Sequence, residues 1–89
     1  MINDAGISIG KKIKEIRKSM GISGSCLAKR VGVSQQQISR YESGQTPMTI
    51  DMLIMISHVL NCPITKLLSE IISVYESDNL MDFERNKRR

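Results

Sequence analysis

Eighty-nine residues make one small domain, near the lower limit at which a single hydrophobic core holds a chain together without disulfides or metal. Apolar residues are 40% of the chain, with one phenylalanine, two tyrosines and no tryptophan. This excludes wholesale disorder and demands an aliphatic core, which favours helices packed on helices over a sheet sandwich. The net charge of +4 is divided: residues 1–40 carry eight Lys/Arg against two Asp/Glu, residues 41–84 carry one against seven, and the last five add four bases. Such a division fits a polyanion on one face and a different partner on another, although solvated helix faces produce the same pattern.

In chain order, Ile9, Ile13, Ile16 and Met20 recur at spacings of four, three and four, one stripe of an amphipathic helix with Lys11, Lys12, Lys14 and Lys18 off it. Gly21 ends that helix, and residues 1–8 read as an N-terminal arm. Ser23 caps a second helix whose apolar face is Leu27, Ala28 and Val31, stopped by Gly32. Ser34 caps a third, ending near Ser43 and Gly44. After the loop "GQTP", Thr49 caps a fourth helix through about Leu60, with Ile50, Leu53, Ile56, Val59 and Leu60 as its inward stripe. Pro63 suits the first turn of a fifth. Ile64, Leu67, Leu68, Ile71, Ile72 and Tyr75 keep one helical face going past the expected end of the domain, so the expected architecture is all-α, with five helices and the fifth extended. The domain spans residues 9–68, and residues 69–89 form a helix extension and charged tail.

Cys26 and Cys62 stand far apart without CxxC spacing, and His58 is the single histidine, which argues against a zinc site or a disulfide framework. Both cysteines read as buried small hydrophobes of a reducing cytosol. His58 reads as a solvated residue on helix four. No nucleophile–base constellation appears, so no catalytic residues, metal or other cofactor are expected. The N-terminus "MINDAGISIG" lacks a signal pattern and no apolar run reaches membrane-spanning length, so a soluble, cytoplasmic chain is expected.

Helices two and three carry the most specific signal. A tight turn at Gly32 separates them, Ala28 is small where they would cross, and inward positions fall at Leu27, Ala28, Val31, Val33, Ile38 and Tyr41. With "LAKRVGVSQQQISRYESG" and the later "TIDMLIMISHVLNCPITKLL", residues 9–68 resemble the helix–turn–helix domains of phage repressors, Cro proteins and XRE-type bacterial regulators. The resemblance implies a five-helix DNA-binding domain whose third helix enters the major groove. More narrowly, "SQQQISRYE" resembles the MrpJ-like regulators of fimbriae and motility.

With Ile38 and Tyr41 turned inward, Gln36, Ser39, Arg40 and Ser43 point away from the core, and Gln35 and Gln37 flank it. A glutamine amide can pair with N6 and N7 of adenine and an arginine with O6 and N7 of guanine. By resemblance, Gln35, Gln36 and Arg40 match base-reading positions, and Ser39 shares their face. Ser34 to Gln37 spells S-x-x-Q, so Gln37 either closes a capping box on Ser34 or contacts DNA. Ser23 and Gly24 begin helix two, where free N–H groups suit a phosphate. The family often has a glutamine at the position of Gly24, a brace that glycine cannot supply. The resemblance pairs Arg17 with Glu42, locking helix three to helix one and aiming Arg17 at a phosphate. It also matches Ser43, Gly44, Gln45 and Thr46 to a loop on the DNA backbone, while Lys29 and the helix-one lysines add diffuse attraction.

Apolar surface beyond what the bundle can cover points to a partner. Met52 and Met55 on helix four, and Leu68, Ile71, Ile72 and Tyr75 on the extension, form the candidate interface of a homodimer reading a two-fold operator. A last helix folded over its own bundle is the alternative. The expected function is a sequence-specific regulator on double-stranded DNA, with no membrane and no small-molecule ligand. The rivals are an antitoxin whose residues 70–84 bind a toxin, and an enzyme accessory domain that keeps the fold without binding DNA.

Overall fold

The computed structural model describes residues 2–73, with side chains from Ala5 onward. Five helices run in order: α1 Ile2–Ser19, α2 Gly24–Val31, α3 Gln35–Ser43, α4 Ile50–Val59 and α5 Ile64–Leu67. Helical backbone resumes over residues 69–73 as a sixth segment, α6, at the edge of the described residues, and none of the described residues is in a strand.

Local chemistry places the boundaries of the three central helices. Ser23, Ser34 and Thr49 each stand in extended backbone, and each side-chain oxygen accepts the N–H three residues on: Cys26, Gln37 and Met52 at 3.0, 3.0 and 3.1 Å. Gly32 (φ 77°) and Gly44 (φ 79°) close α2 and α3 in left-handed backbone, their N–H groups returning to carbonyls of the last turn. The core is aliphatic: Ile13 and Ile16 of α1, Leu27, Ala28 and Val31 of α2, Ile38 of α3, Leu53 and Ile56 of α4, with Leu60 and Leu67.

Several sequence expectations are corrected. α1 begins at Ile2 instead of Ile9, so residues 2–8 are helical and not an arm. Met20 lies past the end of α1 and is exposed, and Ile22, after the Gly21 turn, packs against the core instead. Ile50 is 67% exposed because it opens α4, three positions before Leu53, the first buried residue of that helix. Ser57 is buried, donating to the Ile54 carbonyl at 2.8 Å. Pro63 occupies the cap of α5, not its first turn.

The expected continuous fifth helix is interrupted at Leu68 (φ −99°, ψ 7°). The break lets Leu67 reach the core while α6 turns to α1, where Ser8 Oγ donates to Glu70 Oε1 at 2.9 Å. Cys26 is exposed, since the next residue, Leu27, takes the inward position, and Cys62 is only half-buried. Burial pushes the Cys62 thiol up, with Lys66 opposing. Tyr75 and the tail beyond it lie outside the described residues.

Candidate nucleic-acid interface

The geometry of the site begins behind it. Ile38 is buried against the core and Tyr41 half-buried, which fixes the inner side of α3. From α1, Arg17 reaches Glu42 with two prongs, Nε donating to Oε2 at 2.7 Å and Nη2 to Oε1 at 3.0 Å, while Nη1 donates to the Ile22 carbonyl at 2.9 Å. One guanidinium therefore joins α1, the turn before α2 and the end of α3. Both side chains are at most 10% exposed. Hydrogen bonding to Glu42 holds Arg17 above its ordinary range against the opposing effect of burial, so the guanidinium stays charged. All three guanidinium nitrogens already have protein partners, which leaves Arg17 a brace for α3 more than a free cation.

Glycine makes a second brace. At Gly10 an added Cβ would lie 2.4 Å from the Tyr41 carbonyl oxygen and 2.5 Å from that of Glu42, so α1 and the end of α3 touch backbone to backbone. At Gly44 an added Cβ would meet Ile7 Cγ1 at 2.6 Å, and Gly6 faces Gly44 Cα. The first turns of α1 thus seat the loop that follows α3. Composition and hydrophobic periodicity miss this contact; the repeated glycine of "GISIG", four apart on one helix face, is the signal for it.

On the outer side of α3, Gln35, Gln36, Ser39 and Arg40 are exposed, and none of these side chains makes a hydrogen bond among the described residues. Gln37 is half-buried. Its backbone N–H is capped by Ser34, but its side chain makes no return bond, so only half of the expected capping box forms. Ser43 is exposed and donates to the Arg40 carbonyl at 3.2 Å. Gln45 N–H bonds the same carbonyl at 2.9 Å, folding Gly44, Gln45 and Thr46 against the end of α3.

At the start of α2, Ser23 is exposed and its oxygen is engaged by Cys26 N–H and, at 3.1 Å, by Ser25 Oγ. The Gly24 and Ser25 N–H groups have no intrahelical acceptor, as first-turn amides must not. A Cβ on Gly24 would stand 3.9 Å from Arg17 Cζ and 4.0 Å from Gln35 Cγ, ordinary contact distances, so the position has room for a brace that the chain does not carry. Lys29 and Arg30 are exposed on α2, and Lys11, Lys14 and Lys18 on α1; Lys12 lies 3.7 Å from Glu15.

The candidate interface residues divide. Met55 is exposed, but Met52 is half-buried against its own core, and Leu68, Ile71 and Ile72 are half-buried. The exposed Ile50 and Ile54 were not among them. Among the described residues no group of three or more His, Cys, Asp or Glu could hold a metal ion, and no helix is long and apolar enough to cross a membrane.

Two helices joined by a glycine turn, the second clamped behind and bare in front, define a helix–turn–helix domain. The chain belongs to the helix-turn-helix family of the XRE/Cro type, whose model matches residues 13–67. It is 34% identical over 82 residues to a protein of Methanocaldococcus jannaschii named an HTH-type transcriptional regulatory protein, covering 85% of this chain and 26% of that one. The chain thus spans about a quarter of the length of that relative. In fold it is similar to the clp gene regulator ClgR from Corynebacterium glutamicum (TM-score 0.74, 22% identity, 91% of this chain and 87% of that chain). It is also similar to part of the hydroxypropylphosphonic acid epoxidase from S. wedmorenis (TM-score 0.68, 25% identity, 72% of this chain and 34% of that chain). The narrower resemblance to MrpJ-like regulators gains no support from these proteins.

Proposed function

We propose that the chain is a sequence-specific transcriptional regulator that binds double-stranded DNA as a homodimer, with α3 in the major groove of each half-site. The observation that carries this reading is the outer row of α3. Gln35, Gln36, Ser39 and Arg40 stand exposed, without side-chain hydrogen bonds among the described residues, on a helix fixed by Ile38 and the Arg17–Glu42 pair. Amide and guanidinium groups held in this way suit base edges. Around them, the free amides of α2, the Ser43–Thr46 loop, Lys29 and the α1 lysines suit phosphates, with Gln37 at the margin.

The epoxidase shows that this fold also occurs within an enzyme, so the fold alone does not decide between a DNA reader and an accessory domain. The row on α3 favours the reader, because exposed amide and guanidinium groups suit base edges and an accessory domain that does not bind DNA gives them no role. A fimbrial or motility operon as the target rests on the "SQQQISRYE" string alone.

Selection of bound duplexes from a random library with the purified chain tests the reading. A motif with two-fold symmetry should emerge, and its enrichment should vanish for a Gln35→Ala, Gln36→Ala, Arg40→Ala triple variant. A library that stays random after repeated rounds overturns the reading.

A further inference from the structure

We propose that the outer face of α4 is the dimer seam, packed antiparallel on α4 of a second copy about a two-fold axis passing between Ile54 and Met55. This rests on the homodimer reading above and commits it to a surface. At 100° per residue, Asp51, Ile54, Met55 and His58 fall within about 100° of arc on one side of α4. All four are exposed, Ile54 by 51% and Met55 by 42%. The opposite side carries the buried Leu53, Ile56 and Ser57, so the helix is committed inward on one face and bare on the other.

The order along the bare face is acid, apolar, apolar, imidazole. An antiparallel pair centred between Ile54 and Met55 sets each residue against the one equally far beyond the axis. Asp51 then meets His58 of the partner subunit, and the same contact recurs on the other side, as a self-complementary patch requires. The Asp51 carboxylate accepts from an imidazole N–H that both the neutral and the charged ring carry. A parallel pair would instead set Asp51 against Asp51 of the partner subunit, a repulsive contact. Helix-dipole complementarity accounts for an acid in the first turn of α4 and a histidine in the last, taken singly. It gives no reason for two large apolar side chains exposed between them, and the charge match supplies one. α4 packs on α2 and α5, and its buried residues Leu53, Ile56 and Ser57 lie on the side away from the seam, so the seam leaves that packing in place.

Sedimentation of the full chain, with far-ultraviolet circular dichroism on every variant, tests the seam. Ile54→Asp should give a folded monomer, because Ile54 is exposed in the protomer. Asp51→Lys should raise the dimer dissociation constant about tenfold or more, and adding His58→Glu should bring it back toward the wild-type value. Ile72→Asp should stay dimeric if folded. The seam is overturned if Ile54→Asp remains dimeric, or if the charge swap restores nothing. A wild-type chain that is monomeric yet binds a single half-site overturns the seam and leaves the DNA reading standing. A dimer broken by Ile54→Asp that ignores all DNA supports the seam and overturns the DNA reading.

Discussion

Arg17 Nε donates to Glu42 Oε2 at 2.7 Å across the α1–α3 boundary, and the two residues, twenty-five positions apart, hold the outer helix at one angle to the bundle. Removing one partner strands a buried charge. Glu42→Ala should destabilise the fold by about 3–5 kcal/mol in urea unfolding. Replacing both, as Arg17→Met with Glu42→Leu, should recover most of that loss while weakening DNA binding, since the apolar pair packs without the two-pronged geometry. Equal stability of Glu42→Ala and the wild type would mean the pair is solvated.

Gly10→Ala sets two effects of opposite sign against each other. Alanine raises helix propensity by about 1 kcal/mol, but its Cβ would fall 2.4 Å from a backbone oxygen that has no freedom to retreat. Overpacking of this kind costs about 1–3 kcal/mol or more. The melting temperature should drop, and a rise would show that α1 and α3 separate at little cost.

Ser34 and Gln37 separate stability from recognition. Ser34→Ala removes the acceptor of the Gln37 N–H and should cost about 1 kcal/mol in thermal unfolding. Gln37→Ala removes a side chain that makes no return bond and should leave stability within about 0.5 kcal/mol of wild type. Any effect of Gln37→Ala belongs to DNA titrations, and a large loss of stability would restore the full capping box.

Arg40→Ala should weaken binding to a selected operator by about 1–3 kcal/mol while changing affinity for random DNA far less. Lys29→Ala should act on both duplexes alike and lower the slope of log affinity against log salt by about one. Fluorescence anisotropy at several salt concentrations distinguishes the two, and an equal loss on both duplexes would remove Arg40 from base reading.

The cysteines should differ in reactivity. Cys26 is exposed, whereas Cys62 is half-buried with its thiol pushed up, which lowers its thiolate fraction near neutral pH. Mass spectrometry of limited alkylation near neutral pH should find Cys26 modified first, and Cys62 should catch up as pH rises through its elevated value. The reverse order would indicate that Lys66 outweighs burial.

Much of the fold is legible in the sequence. The caps at Ser23, Ser34 and Thr49 and the glycines after α2 and α3 are local signals, each acting within a few residues, and the structure keeps every one. The outward face of α3 followed from placing Ile38 inside. Failures came where a residue's fate depends on a neighbour distant in sequence. Cys26 and Ile50 have apolar side chains but no element among the described residues covers them, and the break at Leu68 accompanies a contact of Glu70 with Ser8, sixty-two positions away.

The sequence by itself therefore determined an all-α helix–turn–helix domain and the polar row that faces outward, because hydrophobic periodicity, capping and turn chemistry act over one or two turns. Only the tertiary structure decided how that row is held. The closure of Arg17 on Glu42, the seat of Gly44 on Ile7 and the bare Asp51–His58 face of α4 arise from helices meeting at distances no local pattern encodes.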